Sequence, residues 1–408
     1  MKIHKCRNCN EKKFFNLFSL GKMSYTGKFP KNEKIDIPKE EIKLIMCFGC
    51  KLVQISKNFS LNYMYNQDYG YRTGINQTMT NHVKKLVKKI NNICDLKKDD
   101  VVLDIASNDA TLLNCYSPKI IKVGVDPLVN KYKKNYRNVD YKYSSFFTKK
   151  LLNNKIIQKK IKVITALSVF YDLKEPNTFL KEISSIINQH EGIFILEHAD
   201  LLSIIKNNLF DTICHEHLAY YSVHIISDMC KKNDLHIFDI EKNNINGGST
   251  RFHICHKKAK YKILDKKIAK FLKTERKNKI DKLETYKKFF LRINNIKKKL
   301  NSFLLKKKQQ GKKIHGYGAS TKGNLLLQYF DIGKEIISKI AERNPNKVGS
   351  FTPGLKIPIV SEQTSRSEKP DLYLVLPWHF KEEILLRERE MLKQKCKFIF
   401  PLPNIKVY

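Results

Sequence analysis

No stretch of about 18 uninterrupted apolar residues occurs in the 408-residue chain, so no membrane-spanning helix is expected. The opening Met-Lys-Ile-His-Lys-Cys lacks the apolar core of a secretory signal, and a cytoplasmic protein is expected. Acidic residues are few, 39 against 78 Lys and Arg, for a formal net charge of +39. The lysines are spread along the whole chain and no nucleic-acid-binding signature is present, so no nucleic-acid partner is expected. What survives of the charge argument is a field that favours anionic small molecules, such as phosphorylated or nucleotide-linked substrates. With 42% hydrophobic residues the chain buries real cores, and its length fits two or three domains.

Ten cysteines are present, and six are scattered singly, as in a reducing compartment. The other four form two Cys-x-x-Cys pairs, Cys6 with Cys9 and Cys47 with Cys50. Each pair suits a tight knuckle that turns two thiolates toward one ion, and two knuckles complete a closed, structural Zn2+ site. The 37 residues between the pairs (10–46) fit a small β-rich module with inserted loops. Four cysteines leave no open coordination position, so this metal is not expected to be catalytic.

Between 101 and 200, short apolar runs alternate with helical stretches: 101–105, 121–126, 163–168 and 192–197. Alternation of this kind predicts an α/β fold with a parallel, Rossmann-like sheet, whose ligands lie beyond the carboxyl ends of the strands. The first strand ends in Asp104 and runs into Ala106-Ser107-Asn108-Asp109-Ala110, where the glycines of a dinucleotide fingerprint are missing. That weakens a pyrophosphate reading and favours a cofactor without phosphates. S-adenosylmethionine is one, with its amino-acid end at Asp104 and its ribose diol at Asp126 on the next strand. Ala110 stands where a glycine is usual, a replacement expected to be tolerable on the condition that the residue keeps a negative φ. A helical pattern with Val83, Leu86, Val87 and Ile90 precedes this region, and a Tyr/Arg/Thr/Asn cluster at Tyr69, Tyr71 and Arg72 suits a sugar-lining loop.

Residues 214–221 read Cys-His-Glu-His-Leu-Ala-Tyr-Tyr. The zincin spacing of His at i and i+4 is absent, which argues against a metal. An acid/base role fits better, because a histidine titrates near neutral pH and a carboxylate beside it fixes its tautomer. Further on, 257–312 is dominated by Lys with a long amphipathic pattern that includes Phe289, Leu291 and Ile293, and predicts one or two helices bridging domains. Residues 313–408 begin a second, smaller α/β region. Its Gly316-Tyr-Gly-Ala-Ser-Thr-Lys322-Gly-Asn324 turn is not a Walker A loop, and serves either as an anion cradle or as a tight structural turn.

Taken in order, these motifs resemble the nucleotide-sugar C-methyltransferases. The carrying segments are the Cys-x-x-Cys pairs, VVLDIASNDATLL at 101–113, FDTICHEHLAYY at 210–221, NGGSTR at 246–251, GYGASTKGN at 316–324 and LPWHF at 376–380. The resemblance covers nearly the whole chain. It implies a zinc-binding module at 1–65, a class I S-adenosylmethionine-dependent methyltransferase domain at 66–256, bridging helices at 257–312, and a C-terminal α/β domain at 313–408 that binds the sugar nucleotide. The implied base is His217 with Glu216 as its partner, and His215 completes the acid/base group. Tyr69 or Tyr71 orients the sugar or steadies an enolate. The expected cofactor set is Asp104, Ala106, Ser107, Asn108, Asp126, Pro127, Phe146 and Ser168. The expected substrate set is Arg72, Tyr171, Tyr220, Tyr221, Asn246, Ser249, Arg251, Lys322, Asn324 and Trp378, with Lys322 and its neighbours meeting the diphosphate. Some members carry Tyr where this chain has Cys214 and a His near Asp172. O-methylation of a sugar hydroxyl and a non-catalytic binding role therefore stay open, as does a monomer or a dimer.

Overall fold

The computed structural model describes residues 2–65, 69–152 and 161–408. Three sheets organise them. In the first, β1 (Phe14–Ser24) pairs antiparallel with β2 (Lys39–Cys47), which pairs with β3 (Val53–Ile55). The register of β1 against β2 slips on either side of Phe18–Ser19, and Gly21 sits at φ 86°, so the strand coils over its neighbour. The fourth strand, β9 (Ala219–Tyr220), comes from far along the chain and pairs with β3 at Val53–Tyr220.

The second sheet contains β4 (Val101–Ile105), β5 (Ile121–Val125), β6 (Tyr141–Tyr143), β7 (Val163–Leu167), β8 (Ile193–Ala199), β10 (Leu235–Asn243) and β11 (Ser249–His256). Its order is β10-β11-β8-β7-β4-β5-β6. From β6 to β8 every pairing is parallel and the order is doubly wound, reversing between β4 and β7; β11 then runs antiparallel to both its neighbours. This is a Rossmann-like, doubly wound sheet, and its ligand crevice lies at the reversal. β4 and β8 are buried throughout, as strands covered by helices on both faces must be. One covering helix is α1 (Gln77–Ile93), capped by Asn76, whose side chain accepts from Met79 N.

The third sheet, β14-β13-β12-β15-β16-β17, is built from β12 (Ile314–Tyr317), β13 (Ile340–Glu342), β14 (Ile359–Ser361), β15 (Leu372–Val375), β16 (Lys397–Phe400) and β17 (Lys406–Val407). It is a second doubly wound unit, reversing between β12 and β15, with β17 antiparallel on its edge.

Two helices connect the second sheet to the third, α2 (Asp265–Lys277) and α3 (Leu283–Gln309). On α3, Tyr286, Phe289, Ile293, Ile296, Leu300 and Leu304 form one buried stripe, while Leu291 on the other side is 62% exposed. The stripe packs across β1, where the Phe18 and Phe290 rings stack at 4.8 Å. The first and third sheets therefore share one hydrophobic core. No helix among the described residues is long and apolar enough to cross a membrane.

Candidate active site

The carboxyl ends of the second and third sheets open onto one cavity of about 390 Å³. On the side of the second sheet, the turn after β4 is wound tightly. Ala106, Asn108 and Ala110 all take positive φ, 59°, 50° and 59°. The condition expected of Ala110 is therefore not met. Its methyl is fully buried and its N–H donates to Ser107 O at 2.8 Å, which holds the turn in a conformation that costs about 1–2 kcal/mol per non-glycine residue.

Asp126 accepts from Asn108 N at 2.9 Å and from Leu128 N at 2.7 Å; burial pushes its carboxyl up to about 6. Asp104 accepts from Thr165 Oγ1 at 2.5 Å, and burial pushes it up to about 7. These two acids and the cavity-lining Ala106, Ser107, Asn108, Pro127, Phe146 and Ser168 suit a nucleoside with a cationic end. Ionised acids would take its hydroxyls and amine, and the apolar surfaces would take its base.

Arg72 lines the cavity but is not free for a sugar. Its Nε is 2.9 Å from Asp109 Oδ2, which also accepts from Gly74 N at 3.1 Å. Thr73 N donates to Asn108 Oδ1 at 2.9 Å. The segment around Tyr71–Gly74 is thereby pinned onto the cofactor turn.

The signature 214–217 is a turn, not a helix, and adjacent side chains diverge. Cys214, Glu216 and His217 line the cavity, while His215 does not. His215 packs against Tyr25 and Phe59 at 4.7 and 4.9 Å and its Nε2 meets Glu40 O at 3.2 Å, so it braces the first sheet and is withdrawn from the acid/base group. His217 Nδ1 lies 2.7 Å from Thr212 O. That bond places the ring proton on Nδ1 and leaves Nε2 as the proton acceptor. Burial, and then the Lys322 ammonium, hold His217 down to about 3, so it is neutral at physiological pH. The partner of His217 is thus a backbone carbonyl rather than Glu216. Glu216 instead accepts from Thr26 Oγ1 at 3.4 Å, and burial raises it.

Sequence reasoning expected Tyr69, Tyr71 and Tyr171 on this wall but missed Tyr65 and Asp172. Tyr65 donates to Asp172 Oδ2 at 2.8 Å, and the Tyr65 and Tyr69 rings lie 4.9 Å apart. Asp172 Oδ1 and Glu216 Oε1 are buried without a partner among the described residues, and burial raises both carboxyls. Tyr71 and Tyr171 line the same cavity, Tyr171 with its ring 4.0 Å from that of His217. Only the segment's lack of apolar periodicity marks Tyr65 as unusual.

Several expected substrate residues serve the scaffold. Tyr221 packs on Phe170 at 4.8 Å, and Tyr220 lies in the shared core within β9. Ser249 and Arg251 belong to β11, not to a loop: Ser249 Oγ donates to Ile245 O at 2.9 Å, and Arg251 neutralises the buried Glu197. Asn324 Nδ2 donates to Thr26 O at 2.7 Å. Trp378 Nε1 donates to Asp211 Oδ2 at 2.8 Å, and its ring occupies the place a side chain on Gly247 would need.

From the third sheet, the turn after β12 carries Gly318 (φ 80°), packed on Pro377, and opens helix α4 (Thr321–Phe330), capped by Ser320. Gly318, Ala319, Ser320, Thr321 and Lys322 line the cavity together with Glu342, Lys347 and His379. Glu342 ends β13 and accepts from Ala319 N at 2.7 Å. An acid at the end of the second strand of a βαβ unit is a ribose-binding position, a signal present in the sequence and not used. His379 is half-buried; desolvation and then the Lys322 charge hold its pKa well below the usual range, and its Nδ1 is inaccessible and unpartnered among the described residues.

The sulfurs of Cys6, Cys9, Cys47 and Cys50 lie within 4.8 Å of one another, with Cys6–Cys50 at 3.6 Å and Cys9–Cys47 at 3.5 Å. Four sulfurs about 2.3 Å from one zinc ion stand about 3.8 Å apart, so the cluster has the right size. Gln54 Nε2 and Asn8 N both point at Cys6 Sγ, at 3.3 and 3.4 Å, as donors around a thiolate do.

Residues 244–403 match the family model described as the C-methyltransferase C-terminal domain, beginning just ahead of Asn246. The whole chain is similar to the C-methyltransferase NovU of Streptomyces niveus, at 26% identity over 414 residues, 99% of this chain and 97% of that protein. Among solved structures it is similar to an S-adenosylmethionine-dependent methyltransferase from Clostridium acetobutylicum, with a TM-score of 0.36 and 13% identity over 43% of this chain and 92% of that one. It is also similar to the PH0226 protein of Pyrococcus horikoshii, with a TM-score of 0.36 and 16% identity over 46% of this chain and 94% of that one.

Proposed function

We propose that this chain, a member of a C-methyltransferase family, methylates the carbon beside a ketone in a nucleotide-linked deoxysugar. The observation that carries the reading is the single cavity between two doubly wound sheets, with the neutral His217 in its lining. S-adenosylmethionine fits the side of β4 and β5, and when bound supplies a methyl group on a cationic sulfur. Asp104 and Asp126 hold its amine and ribose. The nucleotide of the sugar fits the turn after β12, where Glu342 meets a ribose and the start of α4 meets phosphate. The sugar then lies against Tyr65 and Tyr69, and the unpartnered Asp172 Oδ1 and Glu216 Oε1 accept from its hydroxyls. His217 Nε2 removes the proton next to the ketone, and Thr212 O keeps the ring in the required tautomer. The four cysteines hold a structural zinc ion that ties the two knuckles of the first sheet together.

Incubation with labelled S-adenosylmethionine and a panel of nucleotide 4-ketosugars tests the reading: label moves to carbon in at least one of them. Binding of the methyl donor with no transfer to any panel member refutes it. Solvent deuterium entering the carbon beside the ketone, without methyl donor, separates this chemistry from O-methylation, which needs no such exchange.

A further inference from the structure

Lys322 was expected to meet the diphosphate, but its surroundings belong to the reacting end of the cavity. The side chain leaves the first turn of α4, and its Nζ lies 3.3 Å from Asn246 O. Asn246 in turn donates through Nδ2 to Ser168 Oγ at 3.3 Å, on the methyl-donor side. Lys322 thus stands between the cofactor wall and the base. Its charge is felt by His217, by His379 and by Asp211. Asp211 feels its charge as the nearest acid, with Oδ2 accepting from Trp378 Nε1 at 2.8 Å and Oδ1 unpartnered among the described residues. A diphosphate placed there would crowd His217. Another lysine, Lys347, lines the same cavity by the turn after β12, with Nζ 2.7 Å from Ala319 O and seated over Phe29 at 4.5 Å.

We infer that Lys322 is a catalytic residue that donates a hydrogen bond to the ketone oxygen as it becomes an enolate. The inference rests on the reading above. In the step, the C–H bond beside the carbonyl breaks, the proton passes to His217 Nε2, and the electron pair moves onto the carbonyl oxygen. Lys322 Nζ keeps its proton and faces that oxygen. A half-buried ammonium with one backbone acceptor gains far more from an oxyanion than from a neutral ketone, and this difference lowers the barrier.

The experiment measures deuterium uptake from D2O into the 4-ketosugar that the wild type methylates, with methyl donor omitted. Lys322→Met should slow exchange at saturation by about 10²–10³-fold, the usual cost of one oxyanion donor. Its Kd for the corresponding nucleoside diphosphate should stay within about threefold of wild type, since Lys347 and the start of α4 remain. Lys322→Arg, which keeps a cation but does not act as a base, should recover part of the exchange. Unchanged binding of S-adenosylhomocysteine by calorimetry shows that both variants are folded. Wild-type exchange in Lys322→Met, or a tenfold weaker nucleoside diphosphate with exchange at saturation intact, overturns the assignment. Absence of exchange in the wild type overturns the functional reading and this inference with it.

Discussion

Replacing Arg251 by Leu separates a scaffold residue from a substrate residue. Arg251 Nε lies 2.6 Å from Glu197 Oε2 and its Nη1 lies 2.7 Å from Glu241 Oε1. Glu197 is 2% exposed, at the centre of the β8–β11 pairing. Burial acts to raise its pKa, but the His82 hydrogen bond and the Arg251 charge outweigh burial and hold it below the usual range. Removing one partner of such a pair strands a charge and costs about 3–5 kcal/mol. At about 2–4 °C per kcal/mol, the transition of the methyltransferase sheet should fall by about 6–20 °C. The sign with pH follows. In the wild type, Glu197 has a depressed pKa, so its contribution is present above the unfolded carboxylate range and lost as pH falls through the folded value. In Arg251→Leu, burial dominates and the carboxyl takes up a proton more readily, so the deficit against wild type should shrink between pH 7 and pH 5. Differential scanning calorimetry at both pH values reads this. Below the melting transition, the variant should keep its KM for the sugar nucleotide, because Arg251 lies outside the cavity lining. A tenfold higher KM with an unchanged Tm would show instead that Arg251 contacts substrate.

His217→Asn should lower turnover by about 10²–10⁴-fold while leaving methyl-donor affinity within about twofold, read by steady-state kinetics and calorimetry. Lys322→Met should raise the pKa of His217, whose depression is due to burial and then to Lys322; ring-15N titration checks this, and an unmoved value would refute their proximity. Asp104, raised to about 7 by burial, must ionise to hold a cationic amine, so affinity for the methyl donor should rise with pH up to about 7 and the slope should flatten in Asp104→Asn. Cys47→Ser should remove one bound zinc ion per chain by elemental analysis and lower the melting temperature; full zinc content in that variant would refute the four-cysteine site.

Much of the fold was legible because parallel strands buried on both faces write themselves as short apolar runs. Val101–Ile105, Val163–Leu167 and Leu372–Val375 are of this kind. β9 was not legible. Two residues after the signature complete a sheet whose other strands lie before residue 56, and no local pattern encodes that pairing. The conformation of Ala110 was misjudged for a related reason: a methyl group at positive φ is disfavoured locally, and surrounding packing and hydrogen bonds overrule the preference.

By itself the sequence determined which chemical groups the protein owns: four thiolates in matched pairs, acids at the ends of adjacent strands, and a His-Glu-His turn beside two tyrosines. The tertiary structure decided which of them meet. In the 214–217 turn, one histidine faces the first sheet and the other the cavity, and Glu216 turns to Thr26. Arg251 and Trp378, reactive on paper, are consumed by buried partners, whereas Lys322 and His379 are brought to the reacting end from a sheet more than a hundred residues away. Spacing along a chain constrains neighbours within a few residues; burial, which sets both charge state and access, depends on what folds over them from afar.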